Sequence, residues 1–201
     1  MCKWDIVFQR IGILFWIAAA FLSFYNVKED NDAKNNSVAL LQTLYEDLPK
    51  MKPAVSTQTK ILDDTFNPQM DMPTKFVGDK AYIGVLEIPE LSLSLPIMED
   101  WSYPDLKISP CRYYGSAYQD NMVLMAHNYQ SHFGKLKTLF LGAWIIFTDV
   151  DGNIFTYQVA SIEIYNPLQV EEMISGEWDL KLFTCTIGGK SRITICCERI
   201  S

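Results

Sequence analysis

The stretch from Ile11 to Tyr25, IGILFWIAAAFLSFY, carries no charge, and it constrains this chain more than any other feature. Trp4, Ile6, Val7 and Phe8 extend its apolar character past Gln9 and Arg10, so the run from Trp4 to Tyr25 is long enough to span a bilayer. At about 1.5 Å per residue such a helix reaches roughly 33 Å, close to the thickness of the hydrocarbon core, and Arg10 can snorkel to the interface. Lys3 and Arg10 precede the run, while Glu29, Asp30 and Asp32 follow it. Basic residues on that side hold the N-terminus in the cytoplasm and put everything after residue 27 on the outer face. Ala18-Ala19-Ala20 offers the small residues of a signal-peptide cleavage site, but Phe21, Leu22, Phe24 and Tyr25 carry the apolar run beyond it. That favours an uncleaved single-pass anchor in the cell membrane. On either reading the remainder is exported.

The 201 residues, less this segment and a polar stretch after it, leave one globular domain of roughly 120 to 130 residues. With 49% hydrophobic and 20% charged residues the chain has the apolar content for a real core. The net charge of −7 is unevenly divided: residues 1–27 stand at +1, and the rest, 15 basic against 23 acidic residues, at −8. An acidic domain with no basic run lacks the Lys and Arg stripe that displaces counterions from phosphates, so nucleic acid is set aside as a partner. Nor do five cysteines make a disulfide framework. Cys2 is cytoplasmic, Cys111 and Cys185 stand apart, and Cys196 and Cys197 are adjacent, where strand geometry lets at most one face the interior. A free cysteine with a task is the economical reading.

Val27 to Asn36, VKEDNDAKNN, reads as a polar breaker, after which Ser37 caps a short amphipathic helix with Leu40, Leu41, Leu44 and Leu48 at helical spacing. This helix is either a packing element or a spacer. Pro49 and Pro53 stop it, and Lys50 to Lys75 has the composition of a tether. The domain boundaries that follow are 1–27 for the stub and anchor, 28–78 for the linker and 79–201 for the folded domain.

From Lys80 onward the character changes to short β-type runs: AYIGVLEI, LSLSLPI, MVLMAH, WIIFTDV, IFTYQVASIEIY, LKLFTCT and RITICCERI. Asp151-Gly152, Pro89-Glu90 and Gly188-Gly189 mark reversals between them. Helical candidates at Tyr103–Ile108, Gly134–Phe140 and Val170–Ser175 are too brief for an α/β crossover layer. The fold class is therefore mainly β: a small closed or nearly closed barrel of seven or eight strands with helical insertions. Ile83, Val85, Leu93, Leu95, Val123 and Ile193 read as core or as groove lining.

His127 closes the run MVLMAH, and a strand end is a rigid mount for a general acid or base. Cys185 ends LKLFTC, and Arg192 begins RITICCERI after the Gly188-Gly189 turn. If these two strands pair as a hairpin, Cys185 and Arg192 lie at the same end. A thiol nucleophile, a proton carrier and a cation for a developing oxyanion are the parts of acyl transfer, and these three residues supply them. A strand cysteine is also commonly just a small buried hydrophobe. Thr184 either lends to the oxyanion environment or serves as a β-former. Asn128 orients His127 or caps the turn. His132, in a loop without a strand-end mount, reads as a surface residue, and Cys111 as buried.

The order His127, Cys185, Arg192, the sequence TCT at 184–186 after LKLF, and the phrases YIGVLEIPELSLSLPIMEDW, SPCRYYGS and AHNYQSHFGKLKTL closely resemble the sortases over roughly Ala81 to Ile200. Two departures are Ala126, where sortases commonly carry glycine before the histidine, and a short interval from Cys185 to Arg192. The resemblance implies an eight-stranded sortase-type barrel and a cysteine transpeptidase of a Gram-positive bacterium. Cys185 is implied as nucleophile, His127 as proton carrier and Arg192 as the group that holds a substrate carbonyl or oxyanion. The substrates implied are secreted proteins with a C-terminal sorting signal similar to Leu-Pro-x-Thr-Gly, cut between Thr and Gly. The acceptor implied is an amine of a peptidoglycan precursor, a pilin or another surface protein. Neither metal nor cofactor is needed for that chemistry. Two other functions fit the residues: a peptidase on the same Cys-His pair, with water as acceptor, and an anchored peptide-binding module in which Cys185 is structural.

Overall fold

The computed structural model describes residues 3–47 and 70–200. Within them, α1 (Lys3–Asp47) precedes nine strands. These are β1 (Lys75–Val77), β2 (Lys80–Ile88), β3 (Leu93–Met98), β4 (Cys111–Tyr114), β5 (Met122–Ala126), β6 (Trp144–Asp149), β7 (Ile154–Tyr165), β8 (Leu180–Cys185) and β9 (Arg192–Arg199). One short helix, α2 (Val170–Ile174), lies between β7 and β8.

Eight of the strands close a barrel. Around it the order is β2-β3-β4-β5-β8-β9-β7-β6, and β6 returns to pair with β2, while the three-residue β1 extends the free end of the β2 edge. The pairings are antiparallel except β3–β4 and β5–β8, which are parallel. Closure leaves few strand edges open to pairing with another chain. The seven β-type runs of the sequence all form strands. β4, whose CRYY has no clear alternation, and the short β1 carry no such signal. The reversals also fall where expected, with Gly152, Gly188 and Gly189 at positive φ in their turns. The brief helices at 103–108 and 134–140 are 3-10 turns over Asp105–Lys107 and Phe133–Thr138.

Alternation sends Ile83, Leu86, Leu95, Leu124, Phe147, Phe155 and Leu182 into the barrel, where they are buried together. Val85 and Val123 are buried too, but on the outer face. Val85 joins Tyr82, Met98, Cys111 and Val150 under Leu40, Leu41 and Leu44 of α1. Val123 and Phe183 lie under Met173 of α2. Cys197 faces the barrel interior and Cys196 the outside, as strand alternation requires, and both are fully buried. The outer face is covered there: Lys181, the register partner of Cys196, is buried and reaches the carbonyls of Glu172 and Ser175 at α2.

The N-terminal region departs most from the sequence reading. No break occurs at Val27–Asn36; α1 is one helix of 45 residues, about 68 Å long, and Ser37 is inside it rather than at its start. The reason is compositional: no glycine or proline occurs between Gly12 and Pro49, and Lys, Glu, Asp and Asn on a helix already nucleated cost only tenths of a kcal/mol each. From Val7 onward the apolar part is exposed, and the helix meets the length and hydropathy of a membrane span. The latter part is a packing element, and burying Leu44 alone is worth about 1.5–3 kcal/mol. Leu48 and the stretch read as a tether up to residue 69 lie outside the described residues.

Candidate active site

The parallel pairing of β5 with β8 sets Ala126 opposite Thr184, so the next residues along, His127 and Cys185, emerge level with each other. Across the β8–β9 hairpin Cys185 is the register partner of Arg192. His127 is thus brought, from well upstream in the sequence, to the end of the barrel where the Cys185–Arg192 pair lies. The tight turn with Gly188 and Gly189 at φ of +82° and +69° makes the Cys185–Arg192 pairing possible.

Thr184 clamps the two strands that carry His127 and Cys185. Its buried hydroxyl donates to the carbonyl of Ala126 at 2.8 Å. Cys185 is partly exposed and opens into a cleft of about 350 Å³ lined by Asn128, Gln130, Phe133, Lys137, Thr186, Ile187 and Ile193. This is room for an extended, largely apolar peptide segment. The Arg192 guanidinium donates to the carbonyls of Gly189 and Ser191 in its own turn, each at 3.3 Å. Long contacts of this kind are readily exchanged for a substrate oxygen.

His127 is half-buried, and burial lowers its pKa below the ordinary histidine value, opposed by the negative charge of Glu29 and aided by Lys107. A neutral imidazole at pH 7 accepts a proton readily. The other described thiols are unsuited to attack. Burial pushes Cys111 and Cys196 up to about 12, and Cys197 well above the usual thiol range. Among the described residues no group of three or more His, Cys, Asp or Glu side chains is placed to hold a metal ion.

His132 is not a surface residue. It is fully buried, with Nε2 3.3 Å from the Ser37 hydroxyl of α1, because the chain folds back after Asn128 and closes on itself. Phe133 N–H donates to the His127 carbonyl, and His132 and Gly134 N–H groups to that of Tyr129. The Tyr129 ring lies 5.0 Å from that of His127 and 5.6 Å from that of His132. Nothing in the sequence pointed to Tyr129, whose surroundings come from a helix 100 residues earlier.

The sortase-domain family model matches residues 86–200, more than half of the chain. The chain belongs to the sortase family. Among solved structures, this sortase is similar to sortase C1 of Streptococcus suis, at 25% identity over 60% of this chain and 73% of that one, with a TM-score of 0.52. It is similar to the sortase D5 transpeptidase of Clostridium perfringens at 20% identity, covering 60% and 79%, with a TM-score of 0.53. A sortase C1 of Streptococcus agalactiae matches at 21% identity over 80% and 88%, with a TM-score of 0.53. Comparison with curated proteins finds no match. The expected sortase barrel is the observed one, and family membership makes the chain a sortase transpeptidase in general terms, acting on sorting signals and amine acceptors.

Proposed function

We propose that this sortase is a membrane-anchored transpeptidase with Cys185 as nucleophile, His127 as proton carrier and Arg192 as the cation at the reacting carbonyl. The observation that carries the reading is the strand register, which puts His127 level with Cys185 and pairs Cys185, a residue of the cleft wall, with Arg192. A sorting signal similar to Leu-Pro-x-Thr-Gly lies along Phe133, Ile187 and Ile193. Cys185 Sγ bonds to the threonine carbonyl carbon as its proton passes to neutral His127, and Arg192 leaves the turn carbonyls to hold the oxyanion. Collapse breaks the Thr–Gly bond, and His127 gives the proton to the departing glycine amine. An amine of a peptidoglycan precursor or a surface protein then attacks the thioester, its proton returning through His127 to the Cys185 sulfur. Thr184 acts here as the clamp that keeps the two strand ends level, and Asn128 as part of the cleft wall. The charges flanking the apolar run support a cytoplasmic N-terminus with the barrel on the outer face.

The full chain in detergent micelles, given a set of such peptides and an amine, tests this by mass spectrometry. A thioester on Cys185 that passes to the amine, and is lost in Cys185→Ala and His127→Ala, supports the proposal. Release of free acid at the same rate with and without the amine would make the chain a peptidase. Peptide binding that survives Cys185→Ala with no adduct ever formed would make it a binding module.

A further inference from the structure

The face of α1 just beyond the apolar run does not meet the barrel wall alone; it grips the loop that carries His127. Asp30 Oδ1 accepts from the Ser131 backbone N–H at 2.9 Å and from the Ser131 hydroxyl at 2.6 Å. Glu29 Oε2 accepts from the Tyr129 hydroxyl at 3.2 Å, while its Oε1 accepts from Lys107 Nζ at 3.0 Å. One turn on, Ala33 is fully buried, small enough for close approach, and one turn further the Ser37 hydroxyl meets His132. Residues 29, 33 and 37 form a single stripe at i, i+4 and i+8, and both of its polar members reach the segment 129–132, Glu29 also holding Lys107 and Ser37 the Ile108 carbonyl.

Docking the helix does not need these contacts, because Leu40, Leu41 and Leu44 already bury an apolar patch on the outside of β2 and β3. What the carboxylates add is a fixed loop. Tyr129 lies against the His127 ring, and the Phe133 N–H holds the His127 carbonyl, so holding 129 and 131 holds the imidazole. We propose that the helix emerging from the membrane is part of the active site, with Glu29 and Asp30 as positioning residues that set the orientation of His127 through Tyr129 and Ser131. This rests on the assignment of His127 as the proton carrier. Orientation of a proton carrier is a kcat matter, since the substrate cleft is on the other side of the loop and is lined by none of the α1 residues.

Glu29 has a second effect. The groups that act on or lie beside His127 are Glu29 from α1, Lys107 from the turn before β4, Cys185, level with it on β8, and Tyr129 and His132 from its own loop; Asp30 acts on His132, and Arg192 is the register partner of Cys185. Of these, Glu29 favours the imidazolium and Lys107 disfavours it. Removing the Glu29 charge therefore moves His127 protonation to lower pH, and leaves Lys107 without its counter-charge, which acts in the same direction. The arrangement also ties the active site to the bilayer: Tyr25, the last residue of the apolar run, is one helical turn from Glu29 and donates to it at 2.9 Å.

The test uses the full chain in lipid nanodiscs, comparing Asp30→Ala, Asp30→Asn, Glu29→Gln and, on the exposed face of the same helix, Asp32→Asn. Acyl transfer gives kcat and KM as functions of pH, and imidazole NMR titrates His127, distinguished from His132 as the only other histidine. Asp30→Ala is expected to lower kcat roughly ten- to a hundredfold with KM little changed. Asp30→Asn, which keeps an acceptor oxygen in place, restores most of that loss. Glu29→Gln shifts both the acid limb of the kcat profile and the His127 titration to lower pH, and Asp32→Asn changes neither. Wild-type kcat and pH profile in both Asp30→Ala and Glu29→Gln overturn the proposal, as does a loss of rate matched by a loss of folded protein with the His127 titration unmoved. If the wild-type chain forms no thioester on Cys185, the transpeptidase assignment fails instead, and the His127 titration in Glu29→Gln still decides whether the helix acts on the imidazole.

Discussion

Gly134 sits where the loop carrying His127 closes on itself, and alanine there should slow the reaction while leaving the domain folded. A Cβ at this position would lie 2.5 Å from the carbonyl oxygen of Asn128 and 2.6 Å from that of Tyr129. Both are main-chain atoms, so no rotamer change relieves the clash. Reaching the 3.4 Å of ordinary contact takes 3.4 − 2.5, or about 0.9 Å, of backbone movement. The Gly134 N–H is bonded to the same Tyr129 carbonyl, so the displacement falls on residues 128 and 129, directly after His127. Overpacking of this size costs about 1–3 kcal/mol, which a folded domain survives. An ångström of misplacement at a proton carrier costs up to about a hundredfold in rate, or roughly 2.7 kcal/mol in the barrier. Urea unfolding and acyl-transfer kinetics on the same Gly134→Ala preparation measure the two effects. A folded variant with wild-type kcat/KM would refute the claim that this loop sets the geometry of His127. So would a rate deficit that vanishes once the unfolded fraction is subtracted.

Three further expectations rest on separate features. Of Cys111, Cys185, Cys196 and Cys197, iodoacetamide at neutral pH should label Cys185 alone in the native protein, because the other three are buried with raised pKa values; peptide mapping reads the sites. Asp149 is fully buried and accepts from Tyr118 Oη, Asn153 Nδ2 and the N–H groups of Asp151 and Asn153. Asp149→Ala, which strands those donors at the β6–β7 hairpin, should cost roughly 3 kcal/mol or more in urea unfolding, with the Tyr118→Phe loss much smaller. Burial lowers His132 from 6.5 to about 4. Between those values the unfolded chain holds a proton that the folded chain refuses, so stability is complete above about pH 6.5 and falls by a few kcal/mol as pH drops toward 4. Urea midpoints at pH 7 and pH 5 should differ in the wild type, and the difference should shrink in His132→Gln to the part that His127, also lowered by burial, contributes.

The barrel was legible because its strands announce themselves locally. Runs such as WIIFTDV and IFTYQVASIEIY carry β-branched and aromatic residues bounded by turn pairs, and the turn with Gly188 and Gly189 fixes a hairpin whose register sets Cys185 against Arg192. His127 could be placed at a strand end by the same reasoning, although its nearness to Cys185 needed the parallel β5–β8 pairing that no local signal reveals. β4 was missed as a strand because four residues, half of them aromatic, give no alternation to read.

The errors have a common physical origin. VKEDNDAKNN looks like a breaker when its own composition is the only guide, since nothing within it says that Glu29 and Asp30 will find Tyr129 and Ser131 a hundred residues later. His132 looks like a loop residue on the surface for the same reason: its cover, Ser37, comes from the helix that the composition had ended. Propensity sums over ten residues differ by at most a few kcal/mol between helix and coil, and a handful of tertiary hydrogen bonds with one apolar patch outweighs that. The two misreadings are therefore one misreading. Once α1 continues past Tyr25, Glu29 and Asp30 reach the loop after β5, and the burial of His132, the placement of Tyr129 and the charge felt by His127 follow together.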